Sequence, residues 1–107
     1  MSISTHVLDT AHGRPAAGVA VTLSHRDAEG AWFEVAKAVT DADGRVKEFA
    51  LRQIEPGDYR LEFDTHAYFE AMFYPEVSIV FTVRDPGAHH HVPLLLAPFG
   101  YSTYKGT

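Results

Sequence analysis

An all-β sandwich is the fold this sequence predicts, and three observations predict it. Turn signals recur at short intervals: HGRP at 12–15, DAEG at 27–30, DADG at 41–44, EPGD at 55–58 and DPG at 85–87. Several segments between them alternate apolar and polar residues with the period of two that sends successive side chains to opposite faces of a strand. A single stretch has a helical pattern.

In chain order, the opening strand sets Ile3, Thr5 and Val7 against Ser4, His6 and Leu8. Val19, Val21 and Leu23 then share a face opposite Ala20, Thr22 and Ser24, and Tyr59, Leu61 and Phe63 oppose Arg60, Glu62 and Asp64. In both, the apolar set should point at the core. THAYFEAMF at 65–73 is the helical stretch, with Thr65 as its N-cap and Pro75 barring continuation. VSIVFTV at 77–83 is apolar on both faces except at Ser78 and Thr82, which predicts cover from both sides, one of them a neighbouring subunit. Residues 89–96 read as a strand. GYSTYKGT after them is aromatic and β-prone, unlike a frayed chain end, and should be tied into the sheet. The total is about eight short strands and one short helix, without internal repeats.

With 107 residues the chain has room for one core, so 1–107 reads as a single domain. Charged residues at 21% and apolar residues at 46% exclude a disordered or fibrous chain. A formal charge of −5 argues against nucleic acid as a partner, so any anionic ligand needs a local cationic spot. Cysteine is absent, which removes disulfides, thiol catalysis and thiolate zinc sites. MSISTHVLD lacks the basic and apolar regions of a signal peptide, and no stretch reaches the ~18 apolar residues of a membrane span. KGT is not a peroxisomal address. A cytoplasmic protein is the expectation.

Seven histidines are unevenly placed, three of them consecutive. If 89–96 is a strand, His90, Val92, Leu94 and Leu96 face one way, and His89, His91, Pro93 and Leu95 the other. The apolar company of His90 marks its face as core, which leaves His91 outward. His6 has the same outward parity on the first strand, where Leu8 would otherwise be needlessly exposed, so a concave interface containing both imidazoles is expected. A neutral imidazole with an ordinary pKa of ~6.5 can accept a proton near neutral pH, and two can divide base and orienting roles. Metal binding is the rival use, since His89 and His91 at i and i+2 can both reach a cation, but no third ligand or HExxH spacing accompanies them. Arg45 follows the DADG turn, and its planar fork suits paired oxygens or a ureide-like edge. A calcium reading of DxDG fails because the rest of the EF-hand ligand series is missing.

STHVLDTAHGRPAAGV at 4–19, DGR at 43–45, FYPEVSIVFTV at 73–83 and HHHVPLLLAPFGYSTYKGT at 89–107 together closely resemble the 5-hydroxyisourate hydrolases of the transthyretin-like family. The family's version of the last segment usually reads HYHVPLLLSPFGYSTYRGS. Transthyretin shares the VLD and GxP pieces but lacks these histidines and the Tyr-Arg-Gly-Ser tail. The resemblance implies a sandwich of two four-stranded sheets, assembled as a homotetramer with active sites in a channel at the dimer–dimer interface. It implies His6, Arg45 and His91 as catalytic residues. Tyr104, Lys105, Gly106 and Thr107 fall on the substrate-binding tetrapeptide, beside His6 and Arg45. His90 for Tyr, Lys105 for Arg and Thr107 for Ser are the departures, and Lys105 loses the bidentate fork. The implied reaction needs neither metal nor cofactor: one histidine activates water, and the six-membered ring of 5-hydroxyisourate opens to 2-oxo-4-hydroxy-4-carboxy-5-ureidoimidazoline. His6 and His91 are not told apart as base and partner. A transthyretin-like small-molecule carrier and a structural β-sandwich subunit are the rival readings.

Overall fold

Alternating, β-branched and aromatic segments build nine strands in the computed structural model, which describes residues 2–107. They are β1 (Ser2–Asp9), β2 (Arg14–Pro15), β3 (Ala20–Arg26), β4 (Trp32–Val39), β5 (Arg45–Val46), β6 (Gly57–Asp64), β7 (Glu76–Val83), β8 (His89–Ala97) and β9 (Gly100–Thr103). One sheet runs β2-β1-β8-β9, with the two-residue β5 also paired to β1, and the other runs β4-β3-β6-β7. The first sheet therefore has five strands where four were expected, the extra one being a short piece. Among the described residues no helix is long and apolar enough to cross a membrane.

Strand parity sorts the core as expected. Val19, Val21, Leu23, Tyr59, Leu61 and Phe63 are buried between the sheets, facing Ile3, Val7, Val92, Leu94 and Leu96 from the other side. Ser24 is buried too, because the β3–β4 register shifts between Leu23 and Ser24 and the bulge breaks the alternation there. On β7 the inward set is Val77, Ile79, Phe81 and Val83. Its outer face exposes Ser78, Val80 and Thr82, so the expected second cover is not supplied by this chain.

The expected short helix at 65–73 does not form. Nine residues are marginal for a helix without strong packing, and here the backbone finds other partners. The N–H groups of Thr65 and His66 both donate to the carbonyl of Pro75, and the Thr65 hydroxyl donates to that of Tyr74 at 2.5 Å. Only isolated turns remain, closed by Tyr68 to Thr65 and Met72 to Phe69. The loop is pinned to the end of β1 by the Tyr68 hydroxyl, 2.8 Å from the buried Asp9 carboxylate, which also accepts from His12 Nδ1 at 2.8 Å. Burial alone would raise the pKa of Asp9, but the hydrogen bonds from His12 and Tyr68 outweigh it and hold the group below its ordinary value.

The central pairing of the first sheet is parallel: β1 lies beside β8 with Ser2 opposite His89, Ser4 opposite His91 and His6 opposite Pro93. Neighbours in this register share a face, so Ile3, Thr5 and Val7 turn inward with His90, Val92 and Leu94. The Thr5 hydroxyl, wholly buried, is satisfied by the Val92 carbonyl at 2.6 Å. On the outer face Ser2, Ser4 and His6 stand beside His89, His91 and Pro93.

Candidate active site

Arg45 joins that outer face through β5, whose register sets it directly opposite His6. The DADG turn delivers it there. Asp41 Oδ1 accepts the N–H groups of Asp43 at 2.9 Å and Arg45 at 3.0 Å, and the bond from Arg45 is the chief cause holding the Asp41 pKa below its ordinary value. Gly44 adopts φ 74°, and a Cβ there would stand 2.5 Å from the Val7 carbonyl oxygen, so only glycine lets the turn close onto β1. His6 Nε2 donates to the Asp43 carbonyl at 2.9 Å, tying the imidazole to the same turn.

β9 and the residues beyond it close the other side. β9 pairs with β8 from Leu94–Thr103 to Ala97–Gly100, and Gly106 then bridges back, donating its N–H to the His91 carbonyl at 2.8 Å. A Cβ on Gly106 would lie 2.5 Å from His91 Cδ2, so the bare glycine is what allows the tail to lie against the imidazole.

These elements enclose a cleft of about 440 Å³ lined by Ser4, His6, Arg45, His91, Tyr104 and Thr107, among others. The structure thus brings together His6, Arg45, His91, Tyr104, Gly106 and Thr107 from the residues singled out above. Lys105 is not among them. It lines an adjoining, largely apolar groove of about 560 Å³ with Val80, Phe81, Arg84 and the buried His90. Ser4 and Lys47 line the cleft without having been singled out, as does His89, named above only as a rival metal ligand. Strand parity carried the signal for Ser4, two residues before His6, and for His89, two before His91.

Electrostatically the cleft opposes the molecule around it. The chain is acidic, yet Arg45, Lys47 and three imidazoles line this space and no carboxylate side chain does. Half-burial holds the His91 pKa below the ordinary 6.5, and the positive charge of Arg45, then of His89 and His6 when protonated, pushes the same way. His91 is therefore a free base at neutral pH. Its Nδ1 is hydrogen-bonded to Ser4 Oγ at 2.7 Å, which leaves Nε2 for a ligand. His89 and His91 stack with ring centroids 6.1 Å apart, and among the described residues no group of three or more His, Cys, Asp or Glu side chains is placed to hold a metal ion.

The sequence model of the HIUase/transthyretin family matches residues 3–106. The 5-hydroxyisourate hydrolase of Caulobacter vibrioides is 44% identical over 113 residues, which cover 98% of this chain and 97% of that protein. The structure of Klebsiella pneumoniae 5-hydroxyisourate hydrolase superposes with a TM-score of 0.84 at 38% identity over the whole of both chains. Sea bream transthyretin in complex with thyroxine superposes with a TM-score of 0.92 at 34% identity, over 100% of this chain and 96% of that one.

Proposed function

The chain belongs to the HIUase/transthyretin family, and from that premise we propose that its domain, residues 1–107, hydrolyses 5-hydroxyisourate to 2-oxo-4-hydroxy-4-carboxy-5-ureidoimidazoline in urate degradation. The observation that carries this reading is the convergence of His6, Arg45 and His91 on one cationic cleft. Likeness of fold does not decide between hydrolase and carrier, since a transthyretin and a hydrolase both superpose closely.

In the proposed mechanism His91 is the general base, because its Nε2 is left open to the cleft and half-burial lowers its pKa, whereas His6 Nε2 is bound to the Asp43 carbonyl. Nε2 takes a proton from water as the water oxygen bonds to C6 of the substrate. The Arg45 guanidinium faces the oxygen on which negative charge develops. As the C6–N1 bond breaks, the proton on Nε2 passes to N1, leaving a ureide and a carboxylic acid that ionises by releasing its proton to water. His6, with Nε2 committed to the Asp43 carbonyl, orients the substrate alongside Arg45. Tyr104, Gly106 and Thr107 bound the substrate from the tail side. Lys105 clamps substrate only if the tail turns it out of the adjoining groove. No metal or cofactor enters these steps.

The proposed setting is a cytoplasmic homotetramer, with the cleft in a channel between subunits. Its support is apolar surface that this chain leaves open, including Val80, Phe99, Tyr101 and Tyr104, and the unpaired outer edges of β7 and β9. A solution mass of four times the 11.8 kDa chain is expected by light scattering, and a monomer would overturn the assembly.

The function is tested by generating 5-hydroxyisourate in place with urate oxidase and following its ultraviolet decay. Added protein should accelerate the decay. An unchanged decay, with ligand nevertheless retained by the protein, would establish a carrier instead.

A further inference from the structure

The mechanism above employs one nitrogen of His91 and leaves the other to the protein. Nδ1 faces Ser4 Oγ at 2.7 Å, and the same oxygen lies 3.1 Å from Nε2 of His89, whose Nδ1 is hydrogen-bonded in turn to Ser2 Oγ. Ser4 is buried and His89 exposed, so the series His91, Ser4, His89, Ser2 leads from the cleft to solvent. The parallel register of β1 and β8 creates it, by setting serines beside histidines at alternate positions.

A serine hydroxyl has one proton to give, so it cannot donate to both imidazoles. In one polarity His91 Nδ1–H donates to Ser4 and Ser4 donates to His89 Nε2, which leaves His91 Nε2 a free lone pair. In the opposite polarity Ser4 donates to His91 Nδ1, and Nε2 carries the proton. These are the states a base needs before and after it has taken a proton from water.

We propose that Ser4 and His89 form a proton relay for His91, with Ser4 as the positioning residue and His89 as the exposed end that takes up the charge. As Nε2 receives a proton from water, the Nδ1 proton moves to Ser4 Oγ and the proton of Ser4 moves to His89 Nε2. His91 is then neutral with its proton on Nε2, and His89 is the imidazolium. When Nε2 gives its proton to the departing nitrogen, the shift reverses and no proton is gained or lost. The charged and titratable groups that line the cleft with His91 are Arg45 and Lys47 following the DADG turn, His6 on β1, His89 on β8 and Tyr104 in the tail, and the adjoining groove that His91 also borders adds Arg84, Asp85, His90 and Lys105, so cations outnumber the one carboxylate side chain. Moving the charge to a side chain open to water relieves its repulsion with those cations.

The relay rests on the hydrolase reading, so its test separates the two. Imidazole ¹⁵N spectra of the substrate-free protein at neutral pH should show His91 with its proton on Nδ1, and Ser4→Ala should convert it to mixed tautomers. Turnover in mixtures of light and heavy water should depend on deuterium fraction along a curve, as when several protons move together, and linearly in Ser4→Ala and in His89→Gln. The kcat of Ser4→Ala should fall about 10- to 100-fold with KM nearly unchanged. A wild-type linear dependence, or the same His91 tautomer in wild type and Ser4→Ala, overturns the relay. Undiminished turnover in His91→Ala overturns the hydrolase mechanism instead.

Discussion

The two faces of the β1–β8 pair are built from neighbouring residues of the same strands and have almost nothing else in common. Inward, Ile3, Thr5 and Val7 lie beside His90, Val92 and Leu94, all buried, with one hydroxyl satisfied by the backbone. Outward, Ser2, Ser4 and His6 lie beside His89, His91 and Pro93, at the edge of a cationic cleft. A slip of one residue in this register would exchange the faces, so the apolar set that holds the sheet in place also aims the imidazoles. Positions one apart should thus separate stability from chemistry, and that separation can be tested from either side.

The largest effect is expected outside. His91→Ala should lower kcat by about 10²–10⁴ while the thermal midpoint hardly moves, measured by the urate-oxidase-coupled assay and by calorimetry. Inside, Leu94→Ala should cost about 2–5 kcal/mol in denaturant titration and leave turnover per folded molecule close to normal. If the two variants exchanged phenotypes, the division between faces would fail.

Gly106→Ala sharpens the comparison, because it puts a methyl group 2.5 Å from His91 Cδ2 without touching the core. Crowding of this kind should reduce kcat about tenfold, with little change in melting. The pH profile gives a smaller signature. A depressed pKa means that His91 binds its proton at lower pH than an ordinary imidazole, so the acid limb of kcat/KM should be centred below 6.5. An acid limb centred at or above 6.5 would assign the base elsewhere. Lys105→Arg should have the smallest effect, within about fivefold in kcat/KM, since residue 105 lies in the adjoining groove. A larger gain would show that the tail turns this side chain into the cleft during turnover.

The division between faces was legible in the sequence because the strand period is two. Parity alone separated His90, now buried, from His91 in the cleft, and it aligned His6 with His91. Arg45 drew notice only through the DADG turn and the family resemblance. Which strand lies beside which is not written in local alternation, so Ser4 could not be matched with His91 before the β1–β8 register was known. The stretch 65–73 misled for a related reason. Its apolar spacing suits a short helix, but Tyr68 is held by Asp9, and the Thr65 and His66 N–H groups by Pro75, partners on other strands and loops that helix propensity does not see.

The parallel pairing also orders events in time. The sheet of β3, β4, β6 and β7 joins strands that all lie within residues 20–83, whereas β1 meets β8 through hydrogen bonds between residues as far as 87 positions apart. A growing or refolding chain can close that sheet early, while β1, met on one edge only by the two-residue strands β2 and β5, keeps its other edge open until the final third has arrived. The proposed site is therefore among the last parts to be completed, and a chain stalled before β8 should carry one formed sheet, a β1 with one edge open and a cleft without His89 or His91.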